Sequence, residues 1–156
     1  MSLLSALLTP SRVAVDVEVR DKKALFEHAA TLLESGAGLT RQQVVDSLMA
    51  RERMGSTGLG QGIAIPHGRV KGLREATGAF LRLRNPIAFD APDERPVNLI
   101  FILLVPERAT DVHLQILSEL AEMFGDRGLR AQLAAAPDAL SAQRLIVSWQ
   151  AQAPSP

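Results

Sequence analysis

The run Val97-Asn98-Leu99-Ile100-Phe101-Ile102-Leu103-Leu104-Val105 is apolar at every position except Asn98. A strand that reads this way is covered on both faces, which requires helices packed on each side of a sheet. It falls far short of the roughly 20 apolar residues that a membrane-crossing helix needs, so no transmembrane segment is expected. Working outward, Thr77 to Leu83 and Gly62 to Ile65 read as further strands. Near the start, Val13, Val15, Val17 and Val19 alternate with Ala14, Asp16 and Glu18, the period of two that gives a sheet one apolar face.

Helical spacing fills the intervals. After Asp21, a good N-cap, Leu25, Ala29, Leu32 and Leu33 recur along one helix face until Gly36 supplies a stop. Thr40 with Gln43 forms a capping box, Val44, Val45, Leu48 and Met49 make the buried stripe, and Gly55 ends the helix, so Arg51 lies in its last turn. Val112, Ile116, Leu117 and Leu120 give a helix after Asp111; Ala139, Leu140, Leu145, Ile146 and Trp149 give another after Pro137. Interleaved helices and strands without repeat or linker predict an α/β fold: a single-domain sandwich with a central mixed β-sheet flanked by helices. Residues 1–150 form that domain, and residues 151–156 form a frayed C-terminal tail.

Composition narrows the function classes. The chain has 156 residues, 17 Lys and Arg against 17 Asp and Glu, and a pI near 6.8, so it has no basic footprint for nucleic acid. With no cysteine, disulfides, thiolate nucleophiles and cysteine metal sites are excluded. Met1 to Leu8 lacks both a basic leader and a small-residue cleavage site before Pro10, so it reads as part of the mature chain rather than a signal peptide.

Chemistry concentrates in one segment. Gly55, Gly58, Gly60, Gly62, Gly68 and Gly72 are six of the eleven glycines, and no Asp or Glu occurs between Arg53 and Glu75, while Arg69, Lys71 and Arg74 do. Glycines turn the backbone so that successive N–H groups line a concavity suited to an anion, with Ser56 and Thr57 as added donors. The alternative is a flexible loop, since neither Gly-Lys-Ser/Thr nor a complete G-x-G-x-x-G is present. His67 stands between Pro66 and Gly68 in this run. A neutral imidazole presented there is either a nucleophile toward phosphorus or a hydrogen-bonded loop histidine. His113 taken alone reads as a structural histidine, and His28 as a border residue of its helix with its polar tip outward. No metal or other cofactor is expected, because carboxylates that would complete a site are missing around His67.

Arg51-Glu52-Arg53-Met54-Gly55-Ser56-Thr57-Gly58-Leu59-Gly60, followed by Gly62-Ile63-Ala64-Ile65-Pro66-His67-Gly68, closely resembles the signature of the fructose/mannitol class of enzyme IIA domains in the bacterial phosphotransferase system. Asn85-Pro86-Ile87-Ala88-Phe89-Asp90-Ala91, Leu103-Leu104-Val105-Pro106 and His113-Leu114 continue it, and the variant most similar is the nitrogen-related regulatory enzyme IIA. The resemblance implies that His67 accepts a phosphoryl group from a histidine-containing phosphocarrier protein. It also implies that His113 stabilises the phosphoryl group, that Arg51 supports its charge, and that Ser56, Thr57, Gly58 and Gly60 bind phosphate. By the same resemblance the protein is cytoplasmic and regulates target proteins, such as transporters or sensor kinases, by its phosphorylation state. Two alternatives stand beside it: a sugar-uptake enzyme IIA that passes phosphate to a fructose/mannitol-type transporter component, and a non-catalytic binding module of the same fold. Retention of both His67 and His113 argues against the last.

Overall fold

The 97–105 run becomes β6, Val97–Pro106, and nearly everything else is arranged around it. The computed structural model describes residues 3–34, 39–108 and 111–149. Two short 3-10 turns, Leu3–Ala6 and Pro10–Arg12, lead into β1, Val13–Val17; then come α1, Lys22–Glu34, and α2, Arg41–Arg53. Next are β2, Gly58–Gly60, β3, Ile63–Ala64, β4, His67–Val70, and β5, Thr77–Ile87. After β6 follow α3, Asp111–Phe124, α4, Arg127–Ala135, and α5, Ala139–Ser148.

The sheet has six strands in the order β1-β5-β6-β3-β2, with β4 pairing β6 beyond β3 along the same edge. It is mixed, as expected: β5 runs antiparallel to β6 with Phe80 opposite Phe101, whereas β3 and β4 run parallel to it. Alternate β6 side chains enter different cores. Ile100, Ile102 and Leu104 pack with Phe26, Leu33 and Leu48 under α1 and α2, while Leu99, Phe101 and Leu103 pack with Leu120, Phe124 and Ile146 under the C-terminal helices. That two-sided burial is the reason the strand carries no polar alternation.

The caps read from sequence are in place. Ala24 donates its amide to Asp21 Oδ1 at 2.8 Å, and Thr40 and Gln43 close a reciprocal capping box. Other expectations change. The first strand ends at Val17 rather than Val19, where Asp16 takes a φ of +55° and the register with β5 shifts. β5 runs on past Leu83 to Ile87. Helix α4 went unread because only Leu129 and Leu133 are buried on it; Asp126 caps its start and Arg82, reaching over from β5, donates to the Leu133 and Ala136 carbonyls at its end. The Gly36 stop and the 151–156 tail lie outside the described residues.

His67 to Val70 carries the histidine of the glycine-rich run. The glycine-rich run does not stay a loop there: it forms β4, with His67 opposite Leu103 of β6. Gly68 lets β4 approach α2, since a Cβ at that position would lie 2.2 Å from Ser47 Oγ and 3.1 Å from the Ser47 carbonyl. Ser47 in turn donates its hydroxyl to the Arg69 carbonyl at 2.7 Å.

Two outcomes are expected. Gly68→Ala should lower stability by roughly 1–3 kcal/mol, the usual range for overpacking a tight contact, as measured by urea denaturation; an unchanged midpoint would contradict the close approach. The second concerns Asp126, whose carboxyl is held below the usual range by the Trp149 indole N–H at 3.0 Å and then by the Leu129 amide. A lowered folded-state value means its stabilisation is complete above the usual carboxylate range and is lost as pH falls through the lowered value. Fluorescence of Trp149, the only tryptophan, should report that loss on acid titration, and Asp126→Asn should remove it.

Candidate active site

His67 is half-buried at the first position of β4, with Pro66 before it accepting the Leu103 amide at 2.9 Å. Its Nδ1 lies 2.8 Å from the Ile65 carbonyl oxygen. A carbonyl only accepts, so in this contact Nδ1 carries the proton and Nε2 of the neutral ring keeps its lone pair. The backbone therefore sets both the tautomer and the orientation of the imidazole.

The ring borders a cavity of about 640 Å³ assembled from four elements. Helix α2 with its C-cap contributes Ser47, Arg51 and the capping Met54; β4 contributes His67 and Arg69; β6 contributes Leu103 and Val105; and α3 contributes Asp111, His113, Leu114 and Leu117. The fold thus brings together His67, His113 and Arg51, three residues far apart in sequence. Arg51 sits in the last turn of α2, as expected, and donates from Nη1 to the Gly55 carbonyl at 2.8 Å. His113 is half-buried in the first turn of α3. Met54, 83% exposed, and Leu114, 66% exposed, form an apolar rim. Large apolar side chains left in water at the mouth of a cavity are a feature of docking surfaces.

Four residues expected to bind phosphate lie elsewhere. Ser56, Thr57, Gly58 and Gly60 are not in the cavity wall, and the Ser56 and Thr57 side chains and the Thr57 and Gly58 amides have partners within the chain. Ser56 donates to the Phe89 carbonyl and accepts the Gly58 amide; Thr57 is buried, with its amide and hydroxyl both on the Glu52 carboxylate. Gly58 and Gly60 belong to β2 beneath the 91–93 loop, where a Cβ would lie 2.9 Å from Ala91 Cβ and 3.2 Å from Asp93 Oδ2 respectively. The run does receive an anion, but it is the protein's own: Asp93 accepts the Gln61 amide at 2.9 Å. Hydrogen bonds from the Gln61 and then the Arg95 amides hold the Asp93 carboxyl below its usual range.

The acid-free neighbourhood read from residues 53–75 is also incomplete, because α3 brings Asp111 to the cavity. Sequence reading missed Ser47, Met54, Asp111, Leu114 and Leu117 as lining residues. The only available signal was the apolar side chain of Met54 at a helix end otherwise rich in arginine. His28 is exposed on α1, in keeping with its border reading. Among the described residues, no helix is long and apolar enough to cross a membrane, and no group of three His, Asp or Glu residues comes together as a metal site.

Comparison with known proteins bears on this geometry. Residues 6–148 match the family described as "Phosphoenolpyruvate-dependent sugar phosphotransferase system, EIIA 2". Over 151 residues the chain is 41% identical to a nitrogen regulatory protein of Pseudomonas aeruginosa, covering 96% of this chain and 98% of that one. The crystal structure of nitrogen regulatory protein IIA-Ntr from Neisseria meningitidis matches with a TM-score of 0.88 at 50% identity, over 93% of this chain and 99% of that one. Enzyme IIAMtl, in its complex with phosphorylated enzyme IIBMtl from Escherichia coli, has the same fold, with a TM-score of 0.76 at 18% identity over 91% and 98% of the two chains.

At a pH where the ring is neutral, long-range proton–nitrogen spectra should show His67 in the Nδ1–H form. A ring that is mainly Nε2–H would contradict the Ile65 contact.

Proposed function

The chain belongs to the EIIA 2 family of the phosphoenolpyruvate-dependent sugar phosphotransferase system, and on that premise we propose that it is a regulatory phosphocarrier whose phosphoryl acceptor is Nε2 of His67. The observation that carries this reading is the Nδ1 contact with the Ile65 carbonyl, which leaves Nε2 as the nucleophilic nitrogen in a cavity that also holds Arg51 and His113. The donor is a histidine-containing phosphocarrier protein docked on the Met54 and Leu114 rim.

In the transfer step the Nε2 lone pair forms the new N–P bond as the N–P bond to the donor histidine breaks, and that bond's electron pair returns to the donor ring. The protein's part is to hold the reactants in line and to stabilise charge on the equatorial oxygens. Arg51 supplies a permanent positive charge and His113 an oriented ring for that purpose. The Nδ1 proton stays on the ring, and its bond to Ile65 strengthens as the phosphorylated imidazole gains positive character. Apolar walls from Leu103, Val105 and Leu117 limit water once the donor is docked, which protects the phosphohistidine from hydrolysis.

The regulatory part rests on likeness to nitrogen regulatory proteins over nearly the full length of both chains. A phosphoryl group adds about two negative charges at neutral pH. In a cavity that contains Arg51 and Arg69 against Asp111, it changes the sign of the docking face. Targets such as transporters or sensor kinases would then distinguish the two states, and the role implies a cytoplasmic protein. Sugar uptake is the second reading: the mannitol protein of this fold is recorded with its phosphorylated IIB partner, though the likeness to it concerns the fold alone.

Incubation with the phosphorylated carrier should put an acid-labile, base-stable label on the wild-type protein and none on His67→Ala; a labelled His67→Ala protein would falsify the assignment. His113→Ala should fold and transfer about 100- to 1,000-fold more slowly, the effect of removing an oriented transition-state donor, as followed by rapid quench. A regulated target should bind the two forms with affinities differing by about 5- to 150-fold by calorimetry, the usual range of coupling. Equal affinities would turn that target's case toward the uptake reading.

A further inference from the structure

Glu52 is the residue after Arg51, yet it faces away from the cavity and takes no part in the chemistry above. Its side chain is only 5% exposed. A carboxylate this deeply buried is costly unless every lone pair finds a donor, and here the donors converge on one short connection. Oε1 accepts the Thr57 hydroxyl at 2.6 Å. Oε2 accepts the Thr57 amide at 2.9 Å and the Lys22 ammonium at 3.1 Å. Lys22, from the first turn of α1, also lies 4.6 Å from the centre of the Phe89 ring, so its position is set from two directions.

These contacts staple the turn between α2 and β2 at both ends. Met54 and Gly55 donate their amides back to the Arg51 and Glu52 carbonyls at 3.1 and 3.2 Å, while Thr57 is pinned to the Glu52 side chain. Gly55 has a φ of +151° and a Cβ there would meet nothing within 4 Å, so no packing holds that residue, while Ser56 ties the far side of the turn to the Phe89 carbonyl. The Gly55 carbonyl is the acceptor for Arg51 Nη1. A long side chain with several rotatable bonds is thereby tethered at one nitrogen where it lines the cavity.

We propose that Glu52, together with Thr57 and Lys22, is a positioning residue for phosphoryl transfer: it fixes the Gly55 carbonyl that aims the Arg51 guanidinium at the phosphoryl group. The inference rests on the reading of His67 as the acceptor. It differs from a purely structural role because the effect of Glu52 on rate passes through Arg51.

A double-mutant cycle tests it, using the full chain and the phosphorylated carrier protein as donor. Glu52→Gln places an NH₂ group against the Thr57 amide or hydroxyl and the Lys22 ammonium, so the staple loosens without a cavity. It should slow transfer by about 10- to 100-fold through the maximal rate rather than the half-saturating donor concentration, the cost of slight misplacement of a reacting-site group. In an Arg51→Ala background the same change should slow transfer less than about twofold, as coupled sites require, although its effect on the melting temperature persists. Thr57→Ser, which keeps the hydroxyl, should transfer at nearly the wild-type rate, and Thr57→Val should behave as Glu52→Gln does. Should Glu52→Gln fail to fold, Thr57→Val takes its place in the cycle. Equal slowing with and without Arg51, or a folded Glu52→Gln protein with the wild-type rate, overturns the proposal. Failure of the wild-type protein to label at His67 overturns the acceptor reading instead.

Discussion

Burial of β6 on both faces and along both edges is the constraint from which the rest of the structure follows. Its backbone is paired with β5 on one side and with β3 and β4 on the other, and its side chains divide between two cores. A strand in that position cannot slip by one residue without exchanging the contents of the two cores. Because β6 cannot slip, the strands beside it are held in register too, and one of those pairs is His67 with Leu103. The imidazole of His67 is therefore mounted beside a tightly specified strand, where rigid positioning is most readily sustained.

The candidate site is then grouped along one edge of that frame. The parallel pairing of β4 places His67 beside the end of α2 and the start of α3, two helices on opposite faces of the sheet. Arg51 comes from the first and His113 from the second, so the site exists only where the two layers meet. The elements around it are tied down by polar contacts rather than by burial alone. Ser47 holds α2 to β4, Glu52 holds the turn after α2, and Asp93 holds the glycine strand β2 to the 91–95 loop. Each of these contacts engages a backbone group and so ties one element to its neighbour.

The glycine run shows why local chemistry was a partial guide. Crowded glycines and the absence of acids between Arg53 and Glu75 pointed to an anion cradle or a flexible loop, whereas several of these glycines mark places where the backbone approaches its neighbours closely. What it approaches was not legible. Gly58 and Gly60 yield to Ala91 and Asp93, and Gly68 yields to Ser47, all of them neighbours supplied by other elements. The donors of Ser56 and Thr57 were turned inward by the same packing.

By itself the sequence determined the strand periods, the helix caps at Asp21 and Thr40, the two-sided character of β6 and the presentation of His67 between Pro66 and Gly68. All of these depend on interactions within a few residues, where spacing and side-chain type are sufficient. The signature from Arg51 to Gly68 also carried the family. Only the tertiary structure decided that the run enters the sheet as β4, that Asp111 joins the cavity, that Arg82 ends α4, and which nitrogen of His67 is held by the Ile65 carbonyl. Those outcomes depend on which distant carbonyls, carboxylates and side chains come within hydrogen-bond reach, and such distances exist only after two layers of helices have closed over the sheet.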